Sequence, residues 1–259
     1  MIFILLYIVY ITKQMASTKV LHVLKELNES YIQKIQVPEF KCTMIHTNSS
    51  ILISALRGQS HEQLIIDILN GYDSVTLANS VIVSGLNKYS SLYRMNFPMT
   101  RMLETIDNNY FIELKKLANL SQKPGVIVLD WCLQNLHNVS DILQELLSNC
   151  KTYNLTIIVA IQYPFIGLTR EVISSFEYVF VAKYLQYNAR CNLQNMYGDF
   201  FPSLDIFNKA FRSCTSDGNY IVFANPQVGS RDTKAFPVAD PNGSRPTSFA
   251  DPNGSRLTS

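Results

Sequence analysis

Two apolar runs in the middle of the chain each stop at a polar group able to do chemistry. Val126-Ile127-Val128-Leu129 ends at Asp130, and Thr156-Ile157-Ile158-Val159-Ala160-Ile161 ends at Gln162-Tyr163-Pro164. An ionised carboxylate only accepts and so draws cations or protons, whereas a carboxamide both donates and accepts. Both runs have the length and β-branched content of buried strands, and the segment between them has helical spacing, so 124–164 reads as a βαβ unit. In open α/β sheets, ligands sit beyond the carboxyl ends of the strands. Asp130 and Gln162 are therefore expected side by side over one crevice. The plainer alternatives are a strand-end carboxylate capping a loop, and a buried amide satisfied by neighbouring backbone.

Phosphate chemistry would need a third part. A phosphate-cradling loop reads G-x-x-x-x-G-K-[ST]: its glycines let backbone N–H groups close around the anion, its lysine meets the β/γ-phosphates, and its hydroxyl holds magnesium. The corresponding strand-to-helix position here is Ala55-Leu56-Arg57-Gly58-Gln59-Ser60-His61-Glu62. Ala55 and Ser60 stand at the glycine positions, His61 at the lysine and Glu62 at the hydroxyl. Arg57, Gly58, Gln59, Ser60 and His61 are the candidate phosphate-binding residues, with Arg57 and His61 the nearby cations. The helix N-terminus still offers N–H groups to an anion. Glu62 opposes it, because like charges about 4 Å apart in a partly desolvated site cost several kcal/mol. Strong magnesium-ATP binding of the usual kind is not expected. His46 and His137 have no dyad partner in the sequence, and Tyr184, Tyr187, Tyr197, Phe200 and Phe201 have the helical spacing of core residues rather than of a base-stacking platform.

The elements that must position these groups follow from hydropathy. A polar helix is expected over 20–35, a β-ribbon over 40–47, a strand over 51–56 and a helix over 62–69, stopped by Asn70-Gly71. Next come a strand over 80–85, a loop or short helix over 87–98, and a helix over 110–120. The central unit contributes a helix over 139–153, with Ser140 and Asp141 suited to its first turn. A short helix near 169–171, a strand over 178–182, helices over 186–198 and 204–213, and a last strand over 220–223 complete the series. Strands alternating with helices predict a mainly parallel α/β sheet in one domain.

Composition sets the outer bounds. With 259 residues, 47% of them hydrophobic, the chain can bury one large α/β core. A net charge of +2 with 16% charged residues gives no overall polyelectrolyte attraction to nucleic acid. The five cysteines are scattered without metal-ligand spacing and read as reduced core residues. Asn-x-Ser/Thr triplets occur, but Asn154 directly precedes a buried strand, a poor place for a glycan. The apolar run 2–11 is about half of a membrane span and lacks the preceding positive charge of a signal peptide. Residues 1–14 are expected to be an extension upstream of a start at Met15, 15–225 the domain, and 226–259 a disordered tail in which Ala-Asp-Pro-Asn-Gly-Ser-Arg recurs.

Several of these pieces, taken in order, resemble a known family. The series is Val126 to Asp130, Tyr153-Asn-Leu-Thr-Ile-Ile-Val-Ala-Ile-Gln162-Tyr163, Thr169-Arg170, Phe176-Glu-Tyr-Val-Phe180 and Met196-Tyr197-Gly-Asp-Phe-Phe-Pro202-Ser-Leu-Asp-Ile-Phe207. Their order and spacing over about 123–223 are similar to the genome-packaging ATPases of nucleocytoplasmic large DNA viruses, the poxvirus-type members of the FtsK/HerA class. The resemblance implies a P-loop NTPase-like (RecA/FtsK-type) sheet flanked by helices, using ATP and Mg2+. It implies Asp130 as the metal-side carboxylate, Gln162 as the γ-phosphate or water sensor and Arg170 as a finger or sensor arginine. It also implies double-stranded DNA and capsid proteins as partners, a homo-oligomeric ring, no membrane, and work in an intracellular viral factory or the virion. The departures are the loop without lysine or hydroxyl, and Trp131 where such ATPases carry a second acid. Together they predict a packaging-ATPase homologue with impaired or lost hydrolysis. The alternative is an inactive NTPase-fold interaction module that uses no nucleotide.

Overall fold

The computed structural model describes residues 40–56, 59–85, 87–105, 107, 109, 112, 123–133, 139–161, 168–197, 201, 203–224 and 234–237. All lie in one compact unit, Glu39–Pro246. Its centre is an eight-stranded sheet of order β3-β2-β4-β5-β1-β6-β7-β8. The strands are β1 (Ser50–Ser54), β2 (Val81–Ser84), β3 (Arg101–Leu103), β4 (Gly125–Asp130), β5 (Leu155–Ile161), β6 (Tyr178–Val181), β7 (Ile221–Ala224) and β8 (Lys234–Pro237). Six run parallel; β7 pairs antiparallel with β6, and β8 antiparallel with β7. The helices are α1 (His61–Leu69), α2 (Ser74–Ala78), α3 (Asn87–Asn96), α4 (Val139–Ser148), α5 (Arg170–Ser174), α6 (Tyr187–Tyr197) and α7 (Leu204–Cys214).

The central strands are apolar throughout because both sheet faces are covered, the usual state of parallel sheets. β1, β4 and β5 are buried at every position. Side chains alternate between faces with period two, and the register then sorts them. Ile51 and Ile53 lie level with Ile158 and Ala160, which continue to Val128 and Asp130 and on to Ile82 and Ser84. This face forms one core with Leu64, Ile65 and Ile68 of α1 and Tyr93 of α3. Asp130 and Ser84 are register partners and have the parity of that same face. The pleat therefore sends both polar strand ends toward α1 and α3.

The sequence-based elements recur with three corrections. No ribbon forms over 40–47; Cys42–Met44 is a 3-10 turn. Phe40 anchors the segment through its ring, 5.8 Å from Tyr178 and 5.6 Å from Phe180, and Tyr178 OH donates to the Met44 carbonyl at 3.3 Å. The helix expected to run to residue 153 stops at Ser148, and the chain turns through Asn154 at φ 57° into β5. The tail expected from residue 226 contains β8, in which Lys234 pairs with Ala224 and Phe236 with Val222. Strand β3 was not anticipated, and 87–98 is mostly helix α3. The predicted helices over 20–35 and 110–120, the extension 1–14 and the repeated heptapeptide fall outside the described residues or almost wholly so.

Candidate functional site

Asp130 is the centre of the site. As the last residue of β4 it would ordinarily reach solvent at the sheet's carboxyl edge, yet it is 0% exposed. His61 Nε2 donates to its Oδ1 at 2.9 Å, and Ser84 Oγ and Tyr93 OH donate to its Oδ2 at 3.2 and 3.1 Å. Helix α1, strand β2 and helix α3 thus converge on one carboxylate. A buried charge is tolerable only when hydrogen-bonded and paired, and these three donors meet that requirement.

The next residue closes the site from above. Trp131 takes a left-handed backbone, φ 49°, which ends the strand and turns its indole onto His61, with ring centroids 4.3 Å apart and planes 21° from parallel. The turn demands a glycine next door: a Cβ on Gly85 would lie 2.8 Å from the Trp131 carbonyl oxygen. His61 is itself 0% exposed, and its Nδ1 is 3.3 Å from Glu62 Oε2, within ion-pair reach but not aligned as a hydrogen bond. Behind Trp131, burial and then the Asp130 charge push the Cys132 thiol up to about 12.

The loop from β1 to α1 is held by its own residues. Leu56 N–H donates to Gln59 Oε1 at 2.6 Å, Gln59 Nε2 donates to the Lys183 carbonyl at 2.8 Å, and Tyr220 OH donates to the Gln59 carbonyl at 2.7 Å. Ser60, left-handed at φ 52°, turns the chain into α1, where Gln63 N–H and Leu64 N–H find the Ser60 carbonyl. Burial, then the nearby Glu62 charge, raises the Tyr220 phenol. At the end of β1, Ser54 Oγ and Tyr184 OH share a hydrogen bond of 2.9 Å.

The structure thus brings together Asp130 and His61, and sets Gln59 and Ser60 in the adjoining loop. Arg57, Gly58 and Gln162 lie outside the described residues, although β5, which Gln162 follows, does sit between β1 and β4. Arg170 is the first residue of α5; its side chain is not among those described. Of the aromatics expected in the core, Tyr184 and Phe201 are buried, but Tyr187 is 60% exposed. Sequence reading missed Ser84, Tyr93 and Tyr220. Ser84 had a signal, a polar residue ending an apolar strand, whereas Tyr93 and Tyr220 reach the site only through tertiary packing.

No protein-family model matches the sequence. The uncharacterized protein L437 of Acanthamoeba polyphaga mimivirus is 27% identical over 208 residues, covering 74% of this chain and 72% of L437. Among solved structures, B204, the DNA-packaging ATPase of Sulfolobus turreted icosahedral virus, aligns with a TM-score of 0.55 at 13% identity, over 74% of this chain and 98% of B204. The genome packaging NTPase B204 of Sulfolobus turreted icosahedral virus 2, in complex with AMPPCP, gives 0.54 at 12% identity over the same shares. The fold is P-loop NTPase-like. More narrowly, it is the fold seen in these viral packaging ATPases, with a mainly parallel sheet and flanking helices in a single domain. At such identities the likeness speaks for the fold alone. Among the described residues no group of three or more His, Cys, Asp or Glu is placed to hold a metal ion, and no helix is long and apolar enough to cross a membrane.

Proposed function

We propose that this chain is a divergent homologue of viral genome-packaging ATPases whose nucleotide site has become a fixed structural contact, so that it serves packaging without hydrolysing ATP. The observation that carries the reading is the state of Asp130, 0% exposed and holding three donors. Magnesium keeps near-octahedral geometry and several of its waters when bound by protein. A carboxylate with no exposure, and with three of its roughly four lone-pair positions taken, does not fit that ion. Nor do the loop residues fit a triphosphate. His61 is spent on Asp130, and Glu62 places a carboxylate where a hydroxyl would be needed. Trp131, stacked on His61, has no group to activate water.

In this reading the scaffold acts by binding. Double-stranded DNA and capsid proteins are its proposed partners, in an intracellular viral factory or the virion, and a homo-oligomeric ring would array the copies around DNA. The second reading, an interaction module that touches neither nucleotide nor DNA, is favoured by the weak overall charge of +2.

Two measurements test the proposal. Magnesium-ATP should leave the melting temperature unchanged; a ligand at a hundredfold excess over its Kd would instead add about 2.7 kcal/mol. An ATPase assay with and without duplex DNA should read background, equal to Asp130→Ala. ATP protection, or turnover lost in Asp130→Ala, would overturn the reading. Duplex binding that falls steeply with salt separates the packaging homologue from the module, which would show none.

A further inference from the structure

Helix α6 starts at a buried charge that meets only neutral partners. Arg190, the fourth residue of α6, is 6% exposed. Its Nε donates to Asn208 Oδ1 at 2.6 Å, and its Nη1 donates to the Tyr184 and Leu185 carbonyls at 3.1 and 2.5 Å. A guanidinium carries five N–H donors and stays charged, so the N–H groups of Nη2 remain. Among the described residues no acceptor meets Nη2, and no carboxylate comes within ion-pair reach of Arg190, Asp205 at the start of α7 included. Nη2 is also not one of the sealed polar atoms of the interior, so it reaches solvent. Buried charges are ordinarily paired; this one is hydrogen-bonded but lacks its counter-ion.

The place of that charge sharpens the point. Helical side chains lean toward the N-terminus of their helix, and Nη1 holds the carbonyls of residues 184 and 185, which lead into α6. The guanidinium therefore lies at the positive end of the α6 dipole, where cations are disfavoured and anions favoured. The first-turn N–H groups of Tyr187, Asn188 and Ala189 have no acceptor within the helix. We propose that the start of α6 is a binding site for a phosphate-type oxyanion, received by Arg190 Nη2 and these first-turn N–H groups. Donors reach the site from two directions, the guanidinium plane and the helix axis, and a tetrahedral group offers oxygens to both. Lys183, exposed on the same loop, adds a second cation. The phosphate is either free or part of a nucleic-acid backbone. The proposal does not rest on the functional reading above.

Titration of the full chain with inorganic phosphate, followed by amide NMR at ionic strength held constant with chloride, tests the site. The amides of Tyr187, Asn188 and Ala189 should shift and saturate, with ladder amides such as Ile53 and Val128 unmoved. Arg190→Gln should weaken phosphate binding about tenfold or more, the worth of one hydrogen bond to a charged group. Arg190 also holds the loop before α6, so a second variant covers the case in which Arg190→Gln fails to fold. Asn188 is exposed, and Asn188→Asp suits the helix dipole. It should fold, yet it sets a carboxylate where the oxyanion would sit and should weaken binding by a similar factor. A second arm adds short duplex DNA to the phosphate-saturated protein. Displacement of phosphate at the same amides identifies a nucleic-acid backbone as the source, and unchanged shifts identify free phosphate. Absence of a saturating shift in the wild type overturns the proposal. So does binding that a folded Arg190→Gln or Asn188→Asp leaves at wild-type strength.

Discussion

Replacing Asp130 by alanine separates a structural carboxylate from one kept for a metal. In Asp130→Ala the His61, Ser84 and Tyr93 donors would all lose their acceptor. Leaving a buried donor without its acceptor costs about 1 to 3 kcal/mol, and for three donors sharing one carboxylate, which do not simply add, about 3 to 5 kcal/mol together. For a domain of 150–250 residues each kcal/mol moves the melting temperature by about 2 to 4 °C, so the loss should be about 6 to 20 °C. Asp130→Asn should cost much less. Its oxygen can still accept from His61, its amide can donate to Ser84 or Tyr93 with the hydroxyl turned round, and only charge assistance is lost, about 1 to 2 kcal/mol. Trp131, the single tryptophan, is buried and reports unfolding by fluorescence in urea or on heating. A carboxylate held for metal chemistry would behave oppositely, since its removal relieves a stability–function compromise. An Asp130→Ala protein melting within 2 °C of the wild type, or above it, would refute the structural role; the threshold is about 1 kcal/mol.

Gly85→Ala should destabilise by about 1 to 3 kcal/mol, because its Cβ would meet the Trp131 carbonyl oxygen at 2.8 Å and backbone must move; the urea midpoint measures it. Burial pushes Cys42 up to about 11, and Cys132 and Cys214 up to about 12, from an ordinary 9.0. Their contribution is fully present below pH 9 and is lost as pH rises toward those values. Stability should therefore fall on the alkaline side, and at pH 8 a disulfide reagent should titrate these three thiols only after unfolding. Asp73 caps α2 by accepting Thr76 N–H at 2.7 Å, and that bond holds its carboxyl below the usual range. Its stabilisation is present above the ordinary carboxyl value of 3.8 and is lost as pH falls through the lower folded value. Asp73→Asn should keep the cap and flatten that part of the acid stability profile.

The fold was legible because its strongest signals are local. Apolar runs such as 126–129 and 156–161 have no stable place except a doubly covered sheet, and the intervening segments carry helical spacing. The pairing of Ser84 with Asp130 could also be inferred once both strands were taken as parallel neighbours, since register and pleat fix a shared face. The identity of Asp130's partners was less accessible. His61 was recognised as the cation nearest the phosphate position, but nothing in its spacing says that its ring turns back onto β4. Tyr93 lies on a polar helix that could equally be read as loop. The Gln59 contacts were invisible for a different reason. A Gln in a turn has no preferred partner, and Lys183 and Tyr220 lie more than a hundred residues away in sequence. Backbone pairing follows pattern, whereas the destination of a long polar side chain follows the packed surroundings.

Two closures of opposite sign bear on whether a nucleotide could force its way in. On one side a buried carboxylate is already hydrogen-bonded by His61, Ser84 and Tyr93; on the other a backbone N–H is already satisfied by a neutral oxygen. Opening the first leaves buried donors without their acceptor, about 3 kcal/mol or more in all at about 1 to 3 kcal/mol each, and the second costs roughly another 1 kcal/mol. A ligand with millimolar affinity for the opened site supplies about 4.1 kcal/mol, and one with micromolar affinity about 8.2. The first would be cancelled entirely, and the second reduced to millimolar or weaker. To bind at micromolar strength overall, a nucleotide would need nanomolar-grade contacts in a loop with no lysine at the phosphate position and a glutamate beside it. The same arithmetic bears on how the homologue proposed above would hold its fold without a bound nucleotide. The His61–Asp130 contact joins α1 to β4 from within the protein, so the architecture does not depend on phosphate and metal to bridge those elements.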